Sequence, residues 1–156
     1  LREPMAPHIA AEREGRRLDL SALAVHCRAR FGQAQFGVIE GAGGWLVPLN
    51  ADSTLADLAS ELGCGVVLVV GMRLGCINHA LLTAAAIGAA GLPLAGWVAN
   101  HIDPAMDVQD ENVATLTDRL RAPLLGRVPW QGDHPAASRS AADHLDISPL
   151  IGIGHG

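Results

Sequence analysis

Short apolar runs alternate along this chain with longer stretches in which apolar residues recur at helical spacing. Four runs are strand-sized: 36–40, 66–70, 94–99 and 124–128. Their starts follow one another at about 30 residues, the length of a strand–helix–strand unit. The run 66–70 is rich in β-branched residues and sits between Gly65 and Gly71. Between the runs, spacing predicts a helix over 53–62, with Leu55, Leu58, Ala59 and Leu62 on one face. A second helix is predicted over 107–120, with Val113, Leu116 and Leu120 on one face and Pro123 beyond its end. The stretch 77–90 reads as a helix apolar almost all round and closed by Gly91. Such a helix calls for cover on several sides, by a sheet and by a second subunit. A further helix over 21–30 leads into the first run. Residues 1–17 are polar, carry Pro4 and Pro7 and read as a loop, and the last six residues predict no element. The expected fold is α/β, a parallel sheet with helices on both faces.

Composition narrows the picture. The chain has 156 residues, enough for a hydrophobic core, and 49% are hydrophobic, which excludes wholesale disorder. Aromatics make up only 3%, so Ala, Leu, Val and Ile must fill the interior. A net charge of −5 argues against a nucleic-acid-binding role, which needs a basic face. No apolar run reaches the length of a membrane span, and the expected compartment is the reducing cytoplasm. Cys27, Cys64 and Cys76 are odd in number and form no C-x-x-C spacing, so neither a disulfide framework nor a zinc site is indicated. All 11 basic residues are arginines, and the chain begins at Leu1. The lysine-bearing phosphate loop G-x-x-x-x-G-K-[ST] is therefore absent from these residues, and truncation upstream of Leu1 is the expectation.

In an open parallel sheet, ligands bind beyond the carboxyl ends of the strands. The first run ends in Glu40, followed by Gly41, Ala42, Gly43 and Gly44. A strand-end carboxylate before glycines can hold Mg²⁺ beside phosphates; the bland alternative is a glycine turn with an incidental acid. After the second run, Gly75 to Asn78 open the apolar helix, and their backbone N–H groups with nearby Arg73 suit an anion; the alternative is a plain cap. Cys76 as a nucleophile lacks a base placed by sequence, and His79 reads as a packed or capping residue. After the third run, Asn100 and His101 can read a base edge or simply turn the chain. After the fourth, Pro129, Trp130 and Gln131 can line an apolar slot or simply pack.

Taken together, these words resemble the dethiobiotin synthase family. The likeness rests on EGAGGW from Glu40 to Trp45 with Pro48 and Leu49, and on Val69 to Gly71 with LGCINHALLT from Leu74 to Thr83. It continues through Gly91 and Leu92 with AGWVAN from Ala95 to Asn100, then Pro123 to Gly126 and Val128 to Trp130. It runs from about Pro4 to Trp130, leaving 131–156 as a C-terminal extension of a single partial domain. The resemblance implies a three-layer P-loop NTPase-like fold, incomplete at its N-terminus, and a homodimer. It implies ATP- and Mg²⁺-dependent carboxylation of 7,8-diaminopelargonate by CO₂ and ring closure to dethiobiotin, in biotin synthesis. By this likeness Glu40 binds Mg²⁺, Glu40, Gly41, Ala42 and Gly43 line the ATP phosphates, and Asn100 and His101 with Pro129, Trp130 and Gln131 frame adenine. Leu74, Gly75, Cys76, Ile77 and Asn78, with Pro4 nearby, hold the substrate carboxylate of the neighbouring subunit's site. Members often have Asn-Asp where this chain has Asn100 and His101, and a tyrosine where it has Asn112. The family's phosphate loop, catalytic lysines and a further Mg²⁺-binding acid fall upstream, so these residues alone are expected to be inactive. An amide ligase of the cobyrinate amidase type and a non-catalytic dimerising module of the partition-ATPase type are the alternative readings.

Overall fold

Helix caps written into the sequence set the elements of the first 64 residues. In the computed structural model, which describes residues 4–32, 34, 36–41, 43–132 and 141–151, Asp19 caps the helix Leu20–Phe31 by accepting a 2.8 Å hydrogen bond from the Ala22 N–H. Thr54 and Asp57 form a reciprocal capping box at the start of Leu55–Leu62. The Thr54 hydroxyl and backbone N–H, both donating to the Asp57 carboxylate at 2.7 Å, hold its pKa below the ordinary value. That contribution is complete above the unfolded-state pKa and is lost as pH falls through the depressed folded value. Pro7–Arg13 forms a helix before these two, so α1 is Pro7–Arg13, α2 Leu20–Phe31 and α3 Leu55–Leu62.

The chain divides into two compact units, residues 1–64 and 65–156. In the first, Ala24, Leu49 and Leu58 form a small core with Leu18, Leu20, Leu23, Leu55 and Leu62 packed against it. The Asn50 amide donates to the Leu18 carbonyl at 2.7 Å, and Arg28 on α2 pairs with Glu61 on α3.

Two expectations for this unit are corrected. Residues 7–13 are helical rather than loop, because proline in the first turn gives up an N–H that no helix bond needs and Ala10 and Ala11 are buried. The run 36–40 is irregular, not a strand, and Phe36 and Val38 are 54% and 80% exposed. A strand must spend its backbone groups on a neighbour, and its described residues enter no ladder.

The second unit follows the predicted alternation: β1 Val66–Met72, α4 Cys76–Ala89, β2 Leu94–His101, α5 Gln109–Arg119 and β3 Leu124–Val128, then a 3₁₀ turn Ser148–Leu150. The strands form a parallel sheet in the order β1-β2-β3, with Val70 opposite Ala99 and Asn100 opposite Val128. This is the α/β arrangement of a P-loop NTPase-like fold. One sheet face supplies Val70, Met72, Trp97 and Ala99 to a core completed by Cys76 and Ala80 of α4 and by Val113 and Leu116 of α5 with Leu120 just past its end. Val67 and Val69, on the opposite face of β1, remain 38% and 59% exposed. Beyond β3, Leu145 bridges back antiparallel to Gly126, and the Asp146 N–H donates to the Leu125 carbonyl at 2.7 Å. The His144 carbonyl occupies the space a side chain at 126 would need, so only glycine admits this return. Residues 133–140 and 152–156, part of the expected C-terminal extension, lie outside the described residues.

Candidate functional site

The carboxyl ends of β2 and β3 frame a cleft of about 380 Å³. His101, the last residue of β2, lines it together with Pro129 and Trp130, which follow β3. Pro104, Gln109, Asp110 and Arg127 complete the lining. The β2–α5 connection is fixed by the Gln109 amide, which donates to the Asp103 carbonyl at 3.2 Å. Arg127 Nη1 meets Asp110 Oδ1 at 2.7 Å across the cleft wall. Trp130 is 47% exposed and offers an uncovered flat ring. Nδ1 of His101 and Nε2 of Gln131 are buried without a hydrogen-bond partner among the described residues. Buried polar nitrogens left unmatched are costly, so a polar atom of a bound planar molecule would relieve that of His101, which lines the cleft. An aromatic face, a proline edge and a few polar groups suit a flat, nitrogen-rich ring.

Sequence reasoning placed His101, Pro129, Trp130 and Gln131 in one site, and three of these line the cleft while Gln131 adjoins it in sequence. Asn100 is not among the lining residues: side chains alternate along β2, so it and His101 point to opposite sheet faces. Pro104, Gln109, Asp110 and Arg127 were missed. The Asp110–Arg127 pair spans 17 residues, and no local spacing signals it.

At the start of α4, Gly75 is left-handed at φ 92° and no side chain caps the helix. The Cys76 N–H donates to the Arg73 carbonyl at 3.0 Å, which leaves Ile77 and Asn78 as the N–H groups to offer an anion. Leu74 is 97% exposed, and Asn78 and His79 are exposed as well. The Cys76 side chain is 4% exposed within the core, so any contact it makes to a ligand is through its backbone. Farther on, Asn112 turns its amide back to the Val108 carbonyl at 2.8 Å.

Glu40, Gly41 and Gly43 belong to the first unit and are exposed, as is Pro4; Ala42 lies outside the described residues. Gly43 and Gly44 hold φ of 88° and 142°, values side-chain-bearing residues rarely adopt. Among the described residues no group of three or more His, Cys, Asp or Glu side chains is placed to hold a metal. A single exposed carboxylate still fits Mg²⁺, which keeps several waters and takes one or two carboxylates plus phosphate oxygens. No helix among the described residues is long and apolar enough to cross a membrane.

A family model described as an AAA domain matches residues 1–138. An ATP-dependent dethiobiotin synthetase from Cellvibrio japonicus is 55% identical over 151 residues, covering 97% of this chain and 65% of that protein. Proteins of the same name from Pseudomonas paraeruginosa and Pseudomonas aeruginosa are 55% and 54% identical over 153 residues, covering 96% of this chain and 65% of each. The chain thus spans about 65% of the length of these curated relatives. With the model match covering most of its residues, the chain belongs to the AAA domain family, and nearly its whole length is similar to dethiobiotin synthetases.

Proposed function

We propose that this chain is the nucleotide-base and substrate-carboxylate portion of a cytoplasmic dethiobiotin synthetase. The reaction is the ATP- and Mg²⁺-dependent addition of CO₂ to 7,8-diaminopelargonate, followed by closure of the ureido ring to dethiobiotin, a ligase step in biotin synthesis. The observation that carries this reading is the cleft at the ends of β2 and β3, where His101, with its unmatched Nδ1, Pro129 and Trp130 converge. In this reading the cleft receives adenine, with Trp130 stacking on the ring and His101 and Gln131 supplying polar contacts. Glu40, with Gly41, Ala42 and Gly43, serves the phosphate side, and its carboxylate would hold Mg²⁺, whose chemistry is to offset charge on the phosphate oxygens. Ile77 and Asn78 N–H groups, within the segment Leu74 to Asn78, hold the diamine's carboxylate, with Pro4 contributing. Residues 1–156 lack any lysine, so by themselves they are proposed not to transfer phosphate.

The test uses a chimera in which residues 1–156 replace the matching segment of the Pseudomonas aeruginosa relative. Base–aromatic stacking contributes roughly 1–3 kcal/mol, so Trp130→Ala is expected to weaken ATP binding about tenfold in an equilibrium titration. Because the ring is half-exposed, the fold should be unaffected. Unchanged ATP affinity would remove the cleft from the nucleotide site.

The exposed face of α4 supports the homodimer. Asn78, Leu82, Ala85 and Ala89 are exposed along it, with Leu82 at 62%, on a helix that is apolar almost throughout. A second copy of this chain is the proposed cover. Leu82→Glu would bury a charge in that interface, and sedimentation equilibrium should show the chimera converted from dimer to monomer. A dimer that survives this change would mean the face is not the contact.

A further inference from the structure

Gln109, half-buried in the cleft wall, has a side-chain orientation that the backbone dictates. Its Nε2 donates to the Asp103 carbonyl at 3.2 Å. A carbonyl only accepts, so the amide nitrogen must face Asp103, and Oε1 is the atom left to a ligand. Among the described residues no donor meets that oxygen. The anchor is itself held: the Asp103 carbonyl also takes the Met106 N–H at 3.3 Å, and the Asp103 carboxylate takes the Ala105 N–H at 3.0 Å. Val108, just before Gln109, holds φ 52°, a left-handed conformation that a β-branched residue adopts only at a cost. Its side chain is exposed, so burial there does not offset the cost. The Asn112 amide grips the Val108 carbonyl at 2.8 Å and helps to fix the turn. The other polar groups of the cleft are less constrained. Neutral His101 can donate or accept at Nδ1 by changing tautomer. Arg127 and Asp110 are exposed and engage each other at 2.7 Å.

We propose that Gln109 selects the nucleotide base: its Oε1 accepts a hydrogen bond from the exocyclic amine of adenine and turns away a purine that carries a carbonyl in that place. This rests on the cleft being the base site proposed above. With the carbonyl purine, two acceptors face each other and no proton lies between them. The hydrogen bond is lost while the cost of taking both oxygens out of water remains. Because the Asp103 carbonyl holds the amide nitrogen, Gln109 cannot turn over to offer a donor instead. Trp130 contributes nothing to this choice, since an aromatic ring stacks on either purine.

The test is equilibrium titration of the chimera with ATP and with ITP, whose base has the carbonyl where adenine has the amine. The unsubstituted chimera is expected to bind ATP about tenfold more tightly than ITP. Gln109→Met keeps the length of the side chain and removes both polar atoms. It should bring the two affinities within about twofold of each other, chiefly by weakening ATP. Gln109→Glu keeps an acceptor and should keep ATP ahead. Trp130→Ala should weaken both nucleotides by similar factors. An unchanged ratio of ATP to ITP affinity in Gln109→Met, whether both affinities hold or fall together, would overturn the proposal; a loss in Trp130→Ala would then still leave the cleft as the base site. No loss of either nucleotide in Trp130→Ala would remove the cleft from the nucleotide site and the proposal with it.

Discussion

Replacing Trp97 by alanine is expected to destabilise the second unit by about 3–5 kcal/mol, enough to unfold a marginal domain. Trp97 is fully buried at the centre of β2, paired with Leu68 on one side and Leu124 on the other. It shares its cluster with Met72, Val113 and Leu116. Truncation removes the largest fully buried side chain and leaves a cavity between sheet and helices that neither can close without breaking the ladder. Its indole N–H has no hydrogen-bond partner among the described residues, so Trp97→Phe loses no hydrogen bond and removes an unsatisfied donor. The phenylalanine variant should therefore cost far less than the alanine one. Denaturant midpoints followed by circular dichroism check both. Equal losses for the two would mean the indole N–H is engaged.

Glu40→Gln in the chimera is expected to lower kcat by about a hundredfold or more while diamine affinity stays nearly unchanged. Glutamine keeps the shape and removes the charge that would draw Mg²⁺ to the phosphates. Glu40 is exposed and makes no contribution to either core, so a fold effect should be small. Steady-state kinetics with a parallel binding titration separate the outcomes. Equal losses in turnover and in diamine binding would make Glu40 structural.

The second unit was legible because its signals are local. The β-branched run 66–70, the glycine that ends α4 and the one-sided Val113–Leu116–Leu120 stripe each fix an element within a residue or two of its observed ends. Residues 36–40 carry Phe36, Val38 and Ile39 in a short run, yet a strand depends on what pairs with it, and the described residues provide no partner. Pro7 was read as a loop marker, although proline is favoured in a first helical turn. The site divides in the same way. His101, Pro129 and Trp130 were singled out because ligands bind at strand ends, and the fold brings these three to one cleft. Arg127 and Asp110 meet only through the fold, and Asn100 does not line the cleft that His101 lines.

The most direct test of the central claim is phosphate release by the chimera, with ATP, Mg²⁺ and bicarbonate, measured with and without 7,8-diaminopelargonate. The account predicts release only when the diamine is present, with dethiobiotin formed in equal amount and no release from residues 1–156 alone. Phosphate release independent of the diamine, or turnover by the isolated chain, would contradict it.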